Sequence, residues 1–140
     1  SKLKIRAMLR EVTEIESIGD SCYNLARTIN HKYRGNEDFT EKQYSHIHQM
    51  FQLTDDALNQ MVSLVEDEGH QVDVNKSFNL ENEINNYRSQ LKNQNVLDVN
   101  NKEYDYQMGV HYMDLIGECE KLGDYIVNVV EARTDMKEKK

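Results

Sequence analysis

The sequence predicts an all-α protein, an elongated up-and-down bundle of four helices that forms one domain over residues 1–140. Three observations predict it. No proline occurs in the 140 residues, so nothing forbids long uninterrupted helices. Apolar residues recur at alternating steps of three and four through four successive stretches, the spacing of one helix face. The segments between those stretches are short, and each stretch has one apolar stripe with a polar remainder, which antiparallel packing around a shared seam buries.

The first helix runs from the start to about Tyr33, with Met8, Val12, Ile15, Gly19, Cys22, Ala26 and Ile29 as its stripe. It stops at Arg34-Gly35-Asn36, where glycine takes the left-handed conformation that ends helices. The second opens at Thr40, whose hydroxyl caps while Gln43 reaches back, a capping box. Tyr44, Ile47, Phe51, Thr54, Leu58, Met61 and Val65 form its stripe, and Gly69 ends it. The third spans Val74 to Lys92, with Leu80, Ile84, Tyr87 and Leu91 on one face, and an Asn-rich joint from Asn93 to Asn101 follows. The fourth runs from about Lys102 nearly to the end along Met108, Tyr112, Ile116, Cys119, Gly123, Ile126 and Val130. At ~1.5 Å per residue the first and fourth helices are each about 50 Å long.

Charge narrows the function. Seventeen Lys+Arg against 25 Asp+Glu give a net charge of −8, the wrong sign for nucleic acid or an anionic bilayer as main partner. The closing Lys137, Lys139 and Lys140 suit a helix end favoured by the dipole. Cys22 and Cys119 have no CxxC spacing; they read as small core residues in a reducing compartment, with a disulfide between them as the alternative. No apolar run reaches membrane-spanning length, and no signal peptide is visible. Ser1 to Arg6 read as helix interior with no capping residue before them, the pattern expected of a piece of a longer polypeptide with its missing part upstream. His31, His46, His48, His70 and His111 form no ligand set, and the Glu-x-x-His motif of di-iron bundles is absent. No nucleophile stands beside a base, and no Gly-rich phosphate loop occurs, so catalysis has no candidate.

The two long helices repeat one another. Glu14-Ile15-Glu16-Ser17-Ile18-Gly19-Asp20-Ser21-Cys22-Tyr23-Asn24-Leu25-Ala26 aligns without gaps on Glu118-Cys119-Glu120-Lys121-Leu122-Gly123-Asp124-Tyr125-Ile126-Val127-Asn128-Val129-Val130. Two glutamates, a glycine, an aspartate and an asparagine coincide at one constant offset, which points to an internal duplication. Glycine inside a helix costs about 1 kcal/mol against alanine, so both glycines want a reason. The expectation is that the first and fourth helices pack as antiparallel neighbours through Gly19 and Gly123. Glu16 and Asp20 are spaced i,i+4, as are Glu120 and Asp124, so each pair shares one flank of its stripe. Two readings apply to these pairs: a solvated acidic flank, or hard oxygen ligands for a divalent or trivalent cation. The four carboxylates either converge between the two helices or form two separate sites, the second being favoured.

The pattern E-x-x-G-D with a following N, on two helices about a hundred residues apart, resembles the PhoU family of bacterial phosphate-uptake regulators. The resemblance implies two three-helix repeats, with an E(D)xxxD motif on the third helix of each that binds iron or zinc clusters. Glu16, Asp20, Glu120 and Asp124 match that motif as metal ligands. Two departures stand out: Ser17 and Lys121 follow the motif glutamates where the family often has arginine, and two helices expected before the first motif are missing. The resemblance therefore implies a regulatory, non-catalytic domain, the cytosolic part of a sodium/phosphate cotransporter at the inner face of the plasma membrane. Its partner is then a membrane transporter domain of the same or another chain, and a homodimer is compatible. A freestanding PhoU-type regulator and a purely structural dimerising bundle are the alternatives.

Overall fold

The computed structural model describes residues 1–33, 38–67 and 73–138; of His31, Lys32, Tyr33, Lys137 and Glu138 it describes the backbone alone. Four helices follow in order: α1 (Lys2–Tyr33), α2 (Glu41–Glu66), α3 (Val74–Asn100) and α4 (Tyr106–Glu138). Among the described residues there is no strand. The helix stops expected at Arg34-Gly35-Asn36 and Gly69, like the terminal lysine side chains, lie outside what is described.

The directions alternate. Arg10 near the start of α1 pairs with Glu131, and Asn24 near its end bonds Glu118, so α1 and α4 run antiparallel. Lys42 pairs with Asp98 and Gln49 with Tyr87, which sets α2 against α3. His46 meets Tyr112 while Arg88 meets Glu120, so α2 is parallel to α4 and α3 antiparallel to it. Among the described residues α4 touches all three other helices, whereas α1 packs on α4 alone.

That arrangement explains the core. Met108, Tyr112, Leu115, Ile116, Cys119, Leu122, Ile126, Val129 and Val130 are buried around most of the circumference of α4. Met50 of α2 and Ile84 and Leu91 of α3 close on them. Each large apolar side chain buried in this way contributes about 1.5–3 kcal/mol. Helix α2 buries Ile47, Met50, Thr54, Ala57, Met61 and Leu64. Its stripe thus sits one position round from the expected one, because α2 faces both α3 and α4. Tyr44 is left exposed, and Phe51, Leu58 and Val65 are partly buried beside the core.

The helix ends follow local chemistry. The Thr40 hydroxyl accepts from Gln43 N at 3.1 Å and Thr40 N donates to Gln43 Oε1 at 3.0 Å, the capping box expected. The expected Asn-rich joint is instead the last two turns of α3. Ser77, Ile84, Leu91 and Asp98 recur every seventh residue and are buried, so packing carries the helix past asparagines whose propensity penalty is only a few tenths of a kcal/mol. Asp98 is held by Gln94 at 2.9 Å and by Lys42 at 3.5 Å. After Asn101, Glu103 N donates to Asp98 O and Lys102 N to Val99 O, a Schellman closure. It places Lys102 at φ 61, a conformation that favours glycine. Helix α4 then opens at Tyr106, four residues later than expected, because Asp105 caps it by accepting from Met108 N at 2.8 Å. At the start of α1 the Ser1 hydroxyl accepts from Lys4 N at 3.2 Å, so a capping contact exists where none was expected.

The largest departure is the orientation of α1. Glu11, Ile18 and Ser21 are buried against α4, while Met8, Val12, Ile15, Gly19 and Cys22 of the expected stripe are exposed. The apolar stripe of α4 is already covered by α2 and α3. The face left for α1 carries Glu118, Asn128 and Arg133, which polar side chains of α1 complement.

Candidate functional site: the duplicated motif on the first and fourth helices

The repeat meets itself across the α1–α4 seam. When two copies of one motif pack antiparallel, residues toward the start of each copy face residues toward the end of the other. Asn128 Nδ2 donates to Glu14 Oε2 at 3.2 Å, and Asn24 Nδ2 donates to Glu118 Oε1 at 3.2 Å. These are equivalent bonds related by a local two-fold axis that passes at the level of Gly19 and Gly123. Ser21 reinforces one half by donating to Glu118 Oε2 at 3.0 Å. Beyond the repeat, Arg133 grips the buried Glu11 at 2.7 Å, and Arg10 bonds Glu131 at 3.0 Å. Hydrogen bonds to a charged group in such partly buried seams are worth about 1.5–3 kcal/mol.

The glycines do not mediate this contact. A Cβ on Gly19 would meet nothing within 4 Å, and Gly19 is exposed. Gly123 faces α3, where a Cβ would lie 3.5 Å from Ile84 Cδ1. The antiparallel neighbours are as expected, but side-chain polarity rather than close backbone approach joins them.

The acidic pairs point away from the clasp, since Glu16 and Asp20 each lie two residues, about a half-turn, from Ile18. Glu16 and Asp20 are exposed on α1, without an ion pair among the described residues. On α4 the second pair meets α3. The Arg88 guanidinium lies 3.5 Å from Glu120, and Glu81 of α3 neighbours Asp124. Burial, then the neighbouring Asp124 carboxylate, push the Glu81 carboxyl above the usual carboxylate range. Among the described residues no three His, Cys, Asp or Glu side chains converge as a metal-binding group, so the four motif carboxylates are not gathered into one cluster. The oxygen donors suit hard cations, but each pair offers two carboxylates where such ions take more ligands.

His46 Nδ1 and the Tyr112 hydroxyl are 3.0 Å apart, and burial with the Lys42 charge holds the imidazole below its usual pKa. Burial pushes the Cys119 thiol up to about 12, which makes it inert, while Cys22 is exposed rather than in the core. A cavity of about 300 Å³ between the end of α1 and the start of α2 is lined mainly by Ile29, Phe39, Ile47, Phe51 and Leu115. Sequence reasoning singled out Glu16 and Asp20 but gave no role to Glu14, Asn24, Glu118 or Asn128. Their coincidence in the repeat was the available signal. Glu81 and Arg88 lie outside the repeat, and nothing in the sequence marked them.

Four helices of alternating direction and a polar two-fold seam between two copies of one motif define a helical bundle with an internal repeat. A family model described as PhoU domain matches residues 47–132, from α2 through most of α4, and the chain belongs to that family. The match includes Glu120 and Asp124 and stops short of α1. Comparison with curated proteins and with solved structures gave no match. The family is a regulatory one tied to phosphate transport, not a family of enzymes. Among the described residues no helix is long and apolar enough to cross a membrane.

Proposed function

We propose that this chain is the regulatory domain of a sodium/phosphate cotransporter, lying on the cytoplasmic side of the membrane and adjusting uptake to phosphate supply. The observation that carries the phosphate role is the PhoU-domain match over residues 47–132. The cotransporter reading goes beyond that match and carries over what the resemblance of the two acidic motifs implies. Cell fractionation tests it: the polypeptide carrying this domain should resist carbonate extraction from membranes. Recovery in the soluble fraction would favour a freestanding regulator.

The acidic motifs are proposed to bind iron or zinc through Glu16 and Asp20 on α1 and through Glu120 and Asp124 on α4. In the second copy Glu81 is the neighbouring carboxylate, and Arg88 must yield Glu120 to the ion. Binding to the folded state raises its melting temperature by mass action. Titrating zinc into chelator-stripped protein should raise it, and Asp124→Ala should remove part of the rise while Asp20→Ala removes the rest. No shift in the wild type would leave the motifs as solvated and ion-paired surface.

A further inference from the structure

The second copy of the acidic motif already has a cation beside it, and that cation belongs to the chain. Glu81 and Arg88 are seven residues apart, about two turns, so both lie on one side of α3. That side faces α4, where Asp124 and Glu120 lie about one turn apart in the opposite direction. Arg88 therefore stands at Glu120, its Nε 3.5 Å from Glu120 Oε1, while Glu81 neighbours Asp124. The guanidinium is a stand-in for a metal ion, a positive charge set against a motif carboxylate. Its hold is a poor one. Arg88 Nε is buried yet has no hydrogen-bond partner among the described residues, so charge attraction alone keeps it there. A buried N–H without an acceptor is costly, and swinging the side chain into water removes that cost.

The rest of the fold does not depend on that contact. Ile84 and Leu91, buried on the core, pack α3 in place on either side of Arg88. The Arg88 and Glu120 side chains are 31% and 28% exposed, where an ion pair contributes little. Charge then decides what can replace the guanidinium. A univalent ion brings no more charge and has no tether. A divalent or trivalent ion brings more and takes several carboxylate oxygens at once. We propose that Arg88 is the gate of the second acidic motif, a built-in competitor that keeps univalent cations off Glu120 and swings out when a multivalent metal ion binds Glu120 and Asp124. The gate rests on the reading of this motif as an iron or zinc site. It sets the affinity of that site from α3, a helix that carries no copy of the motif.

Calorimetric titration of zinc into chelator-stripped Asp20→Ala protein, which leaves the second motif intact, tests it. Arg88→Gln removes the charge and keeps most of the side chain, and it should bind zinc about tenfold or more tightly than this parent. Arg88→Ala should gain likewise, whereas Arg88→Lys, which keeps the charge, should stay near the parent. Adding Asp124→Ala should abolish the gain, which ties it to this motif rather than to Cys22 or a histidine. The rise in melting temperature on adding zinc should be larger for Arg88→Gln than for the parent. A merely structural arginine would lower the melting temperature alike with and without zinc and leave the rise unchanged. Zinc binding by Arg88→Gln that is no tighter than the parent's overturns the proposal, and so does a gain that survives Asp124→Ala. If neither the parent nor Arg88→Gln binds zinc, the metal reading of the motif itself has failed and the gate falls with it.

Discussion

Gly19→Ala should stabilise the protein, and the size of the gain follows from the space around it. A Cβ at Gly19 meets nothing within 4 Å, so the substitution brings only the helix-propensity difference, about 0.8–1 kcal/mol. For a domain of this length that is a rise in melting temperature of roughly 4 °C. Gly117, equally open, serves as an internal control and should show the same gain. Gly109 should not. Its Cβ would stand 3.0 Å from both Asn95 Oδ1 and Val99 Cγ2, and Asn95 Oδ1 already accepts from the Tyr104 hydroxyl. Displacing that contact cancels the propensity gain or exceeds it. Thermal denaturation of the three alanine variants, followed by circular dichroism, reads all of this. A Gly19→Ala protein that melts below the wild type would mean that α1 presents Gly19 to a packed neighbour, and the orientation of α1 described here would be wrong.

Other substitutions test other joints of the structure. Lys102→Gly should add about 1 kcal/mol in a urea melt, because it removes a left-handed non-glycine residue from the closure of α3. Glu118→Ala should cost about 1.5–3 kcal/mol by stripping the acceptor from Ser21 and Asn24, and Asn24→Ala added to it should cost little more. In native protein a thiol reagent should label Cys22 and spare Cys119 until unfolding. Burial lowers the His46 pKa in the folded state, so its contribution to stability is present above the usual histidine pKa and is lost as pH falls through the folded value. His46→Gln should flatten the wild-type decline in urea midpoint across the mildly acidic range.

The helical class, the alternation of directions, the Thr40 cap and the antiparallel pairing of α1 with α4 were all legible in the sequence. Each is written locally, in stripe spacing, cap residues or a repeat. The facing of α1 was not. Its stripe names an apolar face correctly, but which face meets α4 depends on what α2 and α3 have already covered, a tertiary fact. The end of α3 was misread for a related reason: asparagine propensity argued for a joint, and the heptad continuing through Asp98 overrode it. Within the site, the repeat marked the right residues but could not rank them. The i,i+4 spacing drew notice to Glu16 and Asp20, whereas the i,i+10 relation of Glu14 to Asn24 becomes a contact only once two copies cross. The part played by Glu81 and Arg88 arises from α3, which carries no copy of the motif.

Phosphate uptake is the measurement on which the regulatory role stands. Cells carrying the intact gene should be compared with cells from which the segment encoding residues 1–140 is deleted in frame, using radiolabelled phosphate under scarce and abundant supply. The account predicts that intact cells cut uptake when phosphate is abundant and that the deletion removes this response while leaving transport itself in place. Identical uptake by the two strains under both supplies would contradict it.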